Sequence, residues 1–220
     1  MHAAPTRHKA RPTCFAQTGL LLLLLTGCDR QADPVINLDA SLLEAHAEAF
    51  IPHAGDGPFD TYLAVNLPYP PARKLLREVE ARFGVQLKSR GEAHITVITP
   101  IEYQRLASTL DIDAINDLAA EHIQRTAFEV RCLGRATATL LGGPESTYFL
   151  VVEAPGLEQL RRGIHDEFVR VGGNPSAFDP DSYSPHITLG FTSRDLHERD
   201  GAVKDESACV AEVRLAEKSP

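Results

Sequence analysis

The chain has 220 residues, of which 43% are hydrophobic and 24% charged, and its formal net charge is −8. This length fits one ordinary domain with a short leader, and the composition excludes a disordered or a collagen-like chain. Residues 1–27 carry three of the 22 basic residues and none of the 30 acidic ones, so residues 28–220 have a net charge of −11. A domain this acidic is poorly suited to tracking long nucleic acid, because Lys and Arg side chains supply most of that affinity.

The N-terminus has the pattern of an export signal. Three basic residues precede a run of leucines over 20–25, which is far shorter than the roughly 20 residues needed to cross a bilayer. The sequence Leu25-Thr26-Gly27-Cys28 then resembles the lipobox of bacterial lipoproteins, in which small residues precede a cysteine that becomes diacylated. We therefore predict a signal peptide over 1–27 and a lipid anchor at Cys28, with the domain held at the cell envelope and facing the periplasm. An ordinary secretory signal with an incidental cysteine is the alternative.

The remaining chain is predicted to divide into a tether, residues 28–58, and a globular domain, residues 59–216. A short helix over 38–50 lies in the tether, and Pro and Gly residues follow it. The strands of the domain are predicted over 61–66, 93–98, 128–133, 136–141, 148–153, 186–191 and 208–215, and its helices over 72–83, 101–110, 114–124 and 157–171. Each half thus contains a strand, a helix and then a strand that carries His-Ile-Thr. This repetition predicts an α+β fold of two duplicated sheet-and-helix lobes with a central cleft.

The cysteines of the domain leave one question open. Cys132 and Cys209 both lie in predicted strands of an exported domain, where the oxidising surroundings allow a disulfide bond. Two buried, unpaired thiols are the alternative. No Cys-x-x-Cys spacing occurs, so the sequence does not favour a zinc ribbon or a thioredoxin-type site.

Two copies of a His-x-Thr motif carry the chemistry of the sequence. In a strand successive side chains alternate between faces, so His94 and Thr96 share one face and Ile95 points to the other. The second strand repeats the arrangement with His186 and Thr188. The pattern His-apolar-Thr-apolar should arise only roughly 0.1 times by composition alone. Two copies in matching strands therefore predict one shared site.

The paired motifs, and above all the segment Tyr-Ser-Pro-His-Ile-Thr-Leu-Gly-Phe over 183–191, resemble those of the 2H phosphoesterase superfamily. That group includes 2′–5′ RNA ligase-like proteins and cyclic nucleotide phosphodiesterases. The resemblance covers about residues 59–216 and implies a bilobal fold with both motif strands lining a cleft. It further implies that His94 and His186 are the catalytic pair and that Thr96 and Thr188 bind phosphate.

The residue types suit this chemistry for a physical reason. In-line attack on a phosphodiester needs one group to take a proton from the nucleophile and another to supply one to the leaving oxygen, and imidazole serves as either near pH 7. A Thr hydroxyl on the same face can donate to a non-bridging oxygen. We therefore predict a metal-independent phosphodiesterase, without a cofactor. Its expected substrate is a small nucleotide or RNA-end phosphodiester, including 2′,3′-cyclic phosphates, and we expect a monomer.

Several alternatives remain open at this stage. A lipoprotein of the same fold could bind a nucleotide without turning it over, and a 2′–5′ ligase-like activity is a further possibility. A metal site made of His94, His186 and Glu92 would be another, although the sequence lacks the dense His/Asp/Glu clusters typical of metal hydrolases. A basic cluster comprising Arg73, Lys74, Arg77, Lys88 and Arg90 could receive phosphates or simply form a solvated surface.

Overall fold

A seven-stranded sheet organises residues 34–216, the part of the chain that the computed structural model describes. The strands are β1 (Val35–Leu38), β2 (Leu63–Leu67), β3 (Ala93–Ile98), β4 (Glu129–Leu140), β5 (Gly143–Glu153), β6 (His186–Phe191) and β7 (Cys209–Leu215). Their order across the sheet is β1-β7-β4-β5-β6-β3-β2. The edge pair β1–β7 is parallel, and every other neighbouring pair is antiparallel.

Four helices accompany the sheet: α1 (Tyr69–Phe83), α2 (Pro100–Leu106), α3 (Ile112–Ala120) and α4 (Pro155–Arg170). Local sequence explains their ends. Helix α1 stops at Gly84, whose φ of 63° is left-handed and therefore favours glycine. Helix α2 starts in a capping box, in which Thr99 and Glu102 each accept a hydrogen bond from the other's backbone N–H.

The two faces of the sheet have different surroundings. Ile95, Ile187 and Leu150 point to the face where the buried residues of the helices form the larger core. Phe149 and Val151, which alternate with Leu150 along β5, point to the opposite face and belong to a smaller apolar cluster with Leu196. Because His94 and His186 flank Ile95 and Ile187, they also lie on this second face. The α+β class is therefore confirmed, and the motif strands lie side by side within it.

The predicted division into two duplicated lobes is not confirmed. β3 and β6, one from each half of the sequence, pair directly with each other at Ile95 and Ile187. Both halves therefore contribute to one continuous sheet. The repeated pattern of strand, helix and motif strand is real in the sequence, but hydrogen bonding between the motif strands joins the halves.

The segment before residue 59 differs from the tether predicted for it. Residues 35–38 form β1 on the edge of β7, and two 3₁₀ turns follow over Ala40–Leu43 and Ala45–Ala47. The helix predicted over 38–50 does not form, because pairing with β7 keeps the chain extended as far as Leu38. Most of the remaining residues of the predicted helix form the two 3₁₀ turns instead. Ile36 and Leu42 are fully buried, so this segment is part of the core.

The strands predicted on either side of Gly134 are one strand, β4. Gly134 lies opposite Phe149 on β5, and a Cβ atom at this glycine would lie 2.4 Å from the Phe149 ring. The glycine thus serves a close approach of the neighbouring ring and not a turn. This matters for the motif face, because the Phe149 ring lies edge-on to His186 with 5.8 Å between ring centroids.

The structure decides the question of the two cysteines in favour of a disulfide bond. Cys132 on β4 and Cys209 on β7 are bonded, with a Cα–Cα distance of 5.8 Å and a sequence separation of 77. The bond therefore reinforces the antiparallel pairing of β4 with β7.

Removing this bond should destabilise the domain. In the Cys132→Ser/Cys209→Ser double variant we expect the free energy of unfolding to fall by about 2–4 kcal/mol, because the unfolded chain regains the freedom that closing a long loop removes. Urea denaturation of the oxidised protein and of the variant measures the difference. The wild type reduced with dithiothreitol is the control and should unfold like the double variant, whereas equal unfolding free energies for the oxidised wild type and the double variant would contradict the prediction.

Two predictions concern residues outside the described range of 34–216: the signal peptide over 1–27 and the lipidated Cys28. None of the helices within the described range combines the length and the apolar character that a membrane span requires.

Candidate active site

The register between β3 and β6 brings the four motif side chains together. Ile95 pairs with Ile187, so in these antiparallel strands His94 lies opposite Thr188 and Thr96 lies opposite His186. All four side chains project from the same face, and directly opposed Cβ atoms in such a pair are about 4.5–5.5 Å apart. Each histidine thus has the threonine of the other motif beside it. The structure therefore brings the four predicted site residues together on one face, two from each half of the chain.

Both ring nitrogens of His186 have neighbours. Nδ1 lies 2.8 Å from the carbonyl oxygen of Ser184, which can only accept, so Nδ1 carries a proton and donates it there. Nε2 lies 3.3 Å from the Nζ atom of Lys204. Since an ammonium only donates, Nε2 is the unprotonated, accepting nitrogen of a neutral imidazole. The ring is thereby held with a basic nitrogen beside a cation.

His94 has a different environment. Its Nδ1 atom lies 3.5 Å from a carboxylate oxygen of Glu92, and about 15% of its side chain is exposed. The ring of Tyr62 lies tilted to the His94 ring with 5.7 Å between centroids, and the ring of His53 stacks on Tyr62 at 4.1 Å. A carboxylate near one ring nitrogen favours the protonated imidazole. This histidine therefore faces an anion where His186 faces a cation.

Burial dominates the titration of both histidines. Desolvation lowers the pKa of His186, and the charge of Lys204 lowers it further. Desolvation also lowers the pKa of His94, but there the charge of Glu92 opposes the effect. Nearby charges thus act on both rings: Lys204 favours the neutral form of His186, whereas at His94 Glu92 favours the protonated form and Arg90 and His53 oppose it.

Three charged residues that the motifs do not include extend the site. Lys204 donates to the Oδ1 atom of Asp195 at 2.9 Å, and both side chains are only 8% exposed. Arg90 lies 3.5 Å from the other oxygen of Asp195. Arg90 belonged to the basic cluster noticed in the sequence, whereas Asp195 and Lys204 had no sequence signal, because each stands alone in a loop. Lys74, another member of that cluster, pairs instead with Asp39 at the end of β1.

A cavity of about 300 Å³ lies next to this group without reaching either histidine. It is lined by Lys204, by residues 151–152 and 183–185, and by the carboxylates of Glu153, Glu158, Asp205 and Glu206. Four carboxylates repel an anion, so this cavity is a poor phosphate site. At the motif face the cations Lys204 and Arg90 balance the carboxylates of Asp195 and Glu92, so this face repels an anion less than the cavity does.

The arrangement expected of a metal site is not found within residues 34–216. No group of three or more His, Cys, Asp or Glu side chains there could hold a metal ion. Glu92 is near His94, but the neighbour of the Nε2 atom of His186 is an ammonium group, which a metal ligand would not tolerate.

An α+β domain that presents two His-x-Thr pairs on one face of a sheet has the design of a two-histidine phosphoesterase. The model of the family described as "Swiss Army Knife, 2H phosphoesterase domain" matches residues 61–197, more than half of the chain. The chain belongs to this 2H phosphoesterase family. Neither a curated protein nor a solved structure matches it. The matched residues include both motifs, Arg90 and Asp195, and end before Lys204.

Proposed function

We propose that the protein is a metal-independent phosphodiesterase that hydrolyses a small nucleotide or RNA-end phosphodiester, with 2′,3′-cyclic phosphates among the candidate substrates. The observation that carries the proposal is the pairing of Ile95 with Ile187, which sets two imidazoles and two hydroxyls on one sheet face. One chain supplies the complete set, so a monomer suffices. Membership of the 2H phosphoesterase family supports the same reaction class.

The surroundings of the histidines support a division of roles. His186, neutral and with Nε2 unprotonated, takes a proton from the attacking water as the new P–O bond forms. His94, beside the carboxylate of Glu92, gives a proton to the leaving oxygen as the old P–O bond breaks. The hydroxyls of Thr96 and Thr188 donate to non-bridging oxygens, where negative charge increases in the transition state.

Charge supports a small substrate. Residues 28–220 carry a net charge of −11, which disfavours contact with a long polyanion. Lys204 and Arg90 provide positive charge at the motif face itself. A single phosphodiester can therefore bind at the motif face, whereas the acidic domain would repel the rest of a long nucleic acid backbone.

A substrate panel tests the proposal. The purified full-length protein is incubated with 2′,3′-cyclic nucleotides, 3′,5′-cyclic nucleotides, short oligonucleotides with cyclic phosphate ends and linear diesters, each with and without EDTA. We expect hydrolysis of at least one of them and no effect of EDTA. Turnover that EDTA abolishes and a divalent ion restores would assign the reaction to a metal site instead. Binding of a nucleotide with no turnover would favour the non-catalytic alternative.

We also propose that the protein is a lipoprotein anchored through Cys28, with the domain in the periplasm. The lipobox-like sequence over 25–28 supports the anchor. The disulfide bond between Cys132 and Cys209 supports an oxidising compartment, because such bonds are rare in the bacterial cytoplasm.

The anchor makes a separate prediction. In cells fed a labelled fatty acid, we expect the wild-type protein to carry label and to sediment with membranes, whereas Cys28→Ala carries none, because the acylated sulfur is gone. Cys14→Ala, which changes the other cysteine near the N-terminus, should be labelled like the wild type. Equal labelling of the wild type and Cys28→Ala would refute the anchor.

A further inference from the structure

Lys204 is a buried cation in contact with a motif histidine. It lies in a loop before β7, seven residues beyond the last residue of the family match. Its Nζ atom is 3.3 Å from His186 Nε2 and 2.9 Å from Asp195 Oδ1. It also lies over the ring of Phe149, 5.7 Å from the ring centroid. The ammonium is thus held beside the one ring nitrogen of His186 that has no proton.

Asp195 and its neighbours hold this ammonium in place. One carboxylate oxygen binds Lys204, and Arg90 lies 3.5 Å from the other. The next residue, Leu196, is fully buried, and its N–H donates to the hydroxyl of Thr147 on β5 at 2.9 Å. The loop that carries Asp195 is therefore hydrogen-bonded to the sheet. Asp195 in turn holds the Nζ atom of Lys204 beside His186.

Stability alone does not account for this pair. A buried ion pair loses so much hydration that apolar residues of similar volume often stabilise a protein as well or better. The surrounding cluster of Phe149, Val151 and Leu196 is apolar and could accommodate such residues. The contact of the Lys204–Asp195 pair with His186 therefore indicates that the pair acts on this histidine.

We propose that Lys204 is a further catalytic residue of the phosphodiesterase, whose ammonium donates a hydrogen bond to a non-bridging oxygen of the reacting phosphate, while Asp195 and Arg90 position it. The proposal rests on the proposed function. The attacking water donates to Nε2 of His186, and the Nζ atom lies only 3.3 Å from the same nitrogen, so the phosphate that this water attacks presents its non-bridging oxygens next to the ammonium. Lys204 keeps its proton throughout, and its fixed charge offsets the charge that develops on the phosphate.

The same ammonium sets the protonation of His186. The charged groups that act on this ring are Lys204, Asp195 and His94, and the charge of Lys204 is the strongest of the three. It lowers the pKa of His186, whereas Asp195 raises it. Removing the lysine charge should therefore move the titration of His186 to higher pH, which a merely space-filling side chain would not do.

The test uses the full-length protein and four variants: Lys204→Met, Lys204→Arg, the double variant Lys204→Met/Asp195→Asn, and Lys74→Met as a control. NMR of the imidazole resonances follows the titration of His186, and titration with inorganic phosphate follows anion binding at the same resonances. Lys204→Met should titrate at higher pH and bind phosphate about 10- to 100-fold more weakly, as expected for one charge-assisted hydrogen bond. Lys204→Arg should retain most of the binding.

The double variant separates catalysis from folding. It removes both buried charges, so it folds without an unpaired carboxylate, and by the proposal it still binds phosphate weakly.

Lys74 is largely exposed, and its loss should leave both measurements unchanged. On a phosphodiester that the protein hydrolyses, kcat of Lys204→Met should fall about 10²–10³-fold.

Two results would overturn the proposal. The first is that Lys204→Met and the double variant bind phosphate as tightly as the wild type and that their His186 titration does not move. The second is that the His186 resonances of the wild type do not respond to phosphate. Neither measurement needs turnover. A wild type that binds phosphate through Lys204 but hydrolyses no diester would therefore refute the enzyme and leave the lysine site standing.

Discussion

His94→Ala and His186→Ala are each expected to reduce kcat for a hydrolysed phosphodiester by about 10²–10⁴-fold, the usual contribution of a positioned general acid or base. Each substitution removes the group proposed for one of the two proton transfers. Steady-state kinetics on the best substrate of the panel measures the loss. Because the two histidines act as a unit, the double variant should lose much less than the product of the single losses.

Matched substitutions define the specificity of this effect. Thr96→Val and Thr188→Val keep the strand shape and remove one donor each, so their losses should be milder. His122→Ala removes an imidazole that is 75% exposed and lies away from the motif strands, so its activity should equal that of the wild type. Full activity in both motif-histidine variants would end the enzymatic interpretation of this face.

The pH profile of the wild type follows from the same pair. Burial lowers the pKa of both imidazoles, but Lys204 adds to the effect at His186 and Glu92 opposes it at His94. The productive form has His186 neutral and His94 protonated, and because burial lowers both pKa values, we expect the optimum of kcat/KM to lie below the ordinary histidine pKa of about 6.5. We expect kcat/KM to fall on the acid side as His186 is protonated and on the alkaline side as His94 loses its proton.

The acid and alkaline sides of the pH profile reflect pKa values of the coupled histidine pair and not of either residue alone. Bound phosphate should move both pKa values upward, because its negative charge favours protonated imidazole. The optimum of kcat should therefore lie at higher pH than that of kcat/KM. An optimum of kcat/KM well above the ordinary histidine range would contradict this division of roles.

The second large effect is expected at Arg161 on helix α4, whose side chain is 1% exposed. Its guanidinium forms an ion pair with Glu102 at 2.7 Å and lies 4.5 Å from the ring centroid of Tyr183. The same group donates to the carbonyl oxygens of Val97, Asp179, Pro180 and Ser182. It thereby joins β3 to the loop that leads into β6. The hydroxyl of Tyr183 donates to the carbonyl of Thr96 at 3.0 Å and strengthens the same connection.

Arg161→Met should lower the free energy of unfolding by about 3–5 kcal/mol, the usual cost of removing one partner of a buried ion pair. The carboxylate of Glu102 and four carbonyl oxygens would lose a donor in a place that water reaches poorly. Urea denaturation monitored by circular dichroism measures the loss.

Arg162→Met provides the control, because this neighbouring side chain is half exposed and its ion pair with Asp181 lies at the surface. Its effect should stay within about 1 kcal/mol, as for most surface pairs. If Arg161→Met unfolds at the same urea concentration as Arg162→Met, the guanidinium does not organise the loop as described.

The local pattern of the sequence was sufficient to predict the motif strands. Both were predicted over the residues that the structure assigns to β3 and β6, 93–98 and 186–191. Period-2 alternation of apolar residues is a local signal, and a buried sheet face preserves it whatever the surrounding fold. Helices α1 and α4 were predicted, within a few residues of their observed ends, from another local signal: apolar residues spaced three and four positions apart. The shared site of His94 and His186 followed because the motif occurs twice.

Tertiary structure alone decided the features that depend on distant contacts. Edge pairing with β7 made a strand of residues that resembled a tether, and close packing against Phe149 kept Gly134 inside a strand. Lys204 reaches His186 from a loop that has no periodic pattern, so nothing in its local sequence marked it. The sequence by itself thus identified the candidate site residues, because they lie in regular strands. Only the fold decided which charges surround them, because those come from loops whose positions are set by non-local packing.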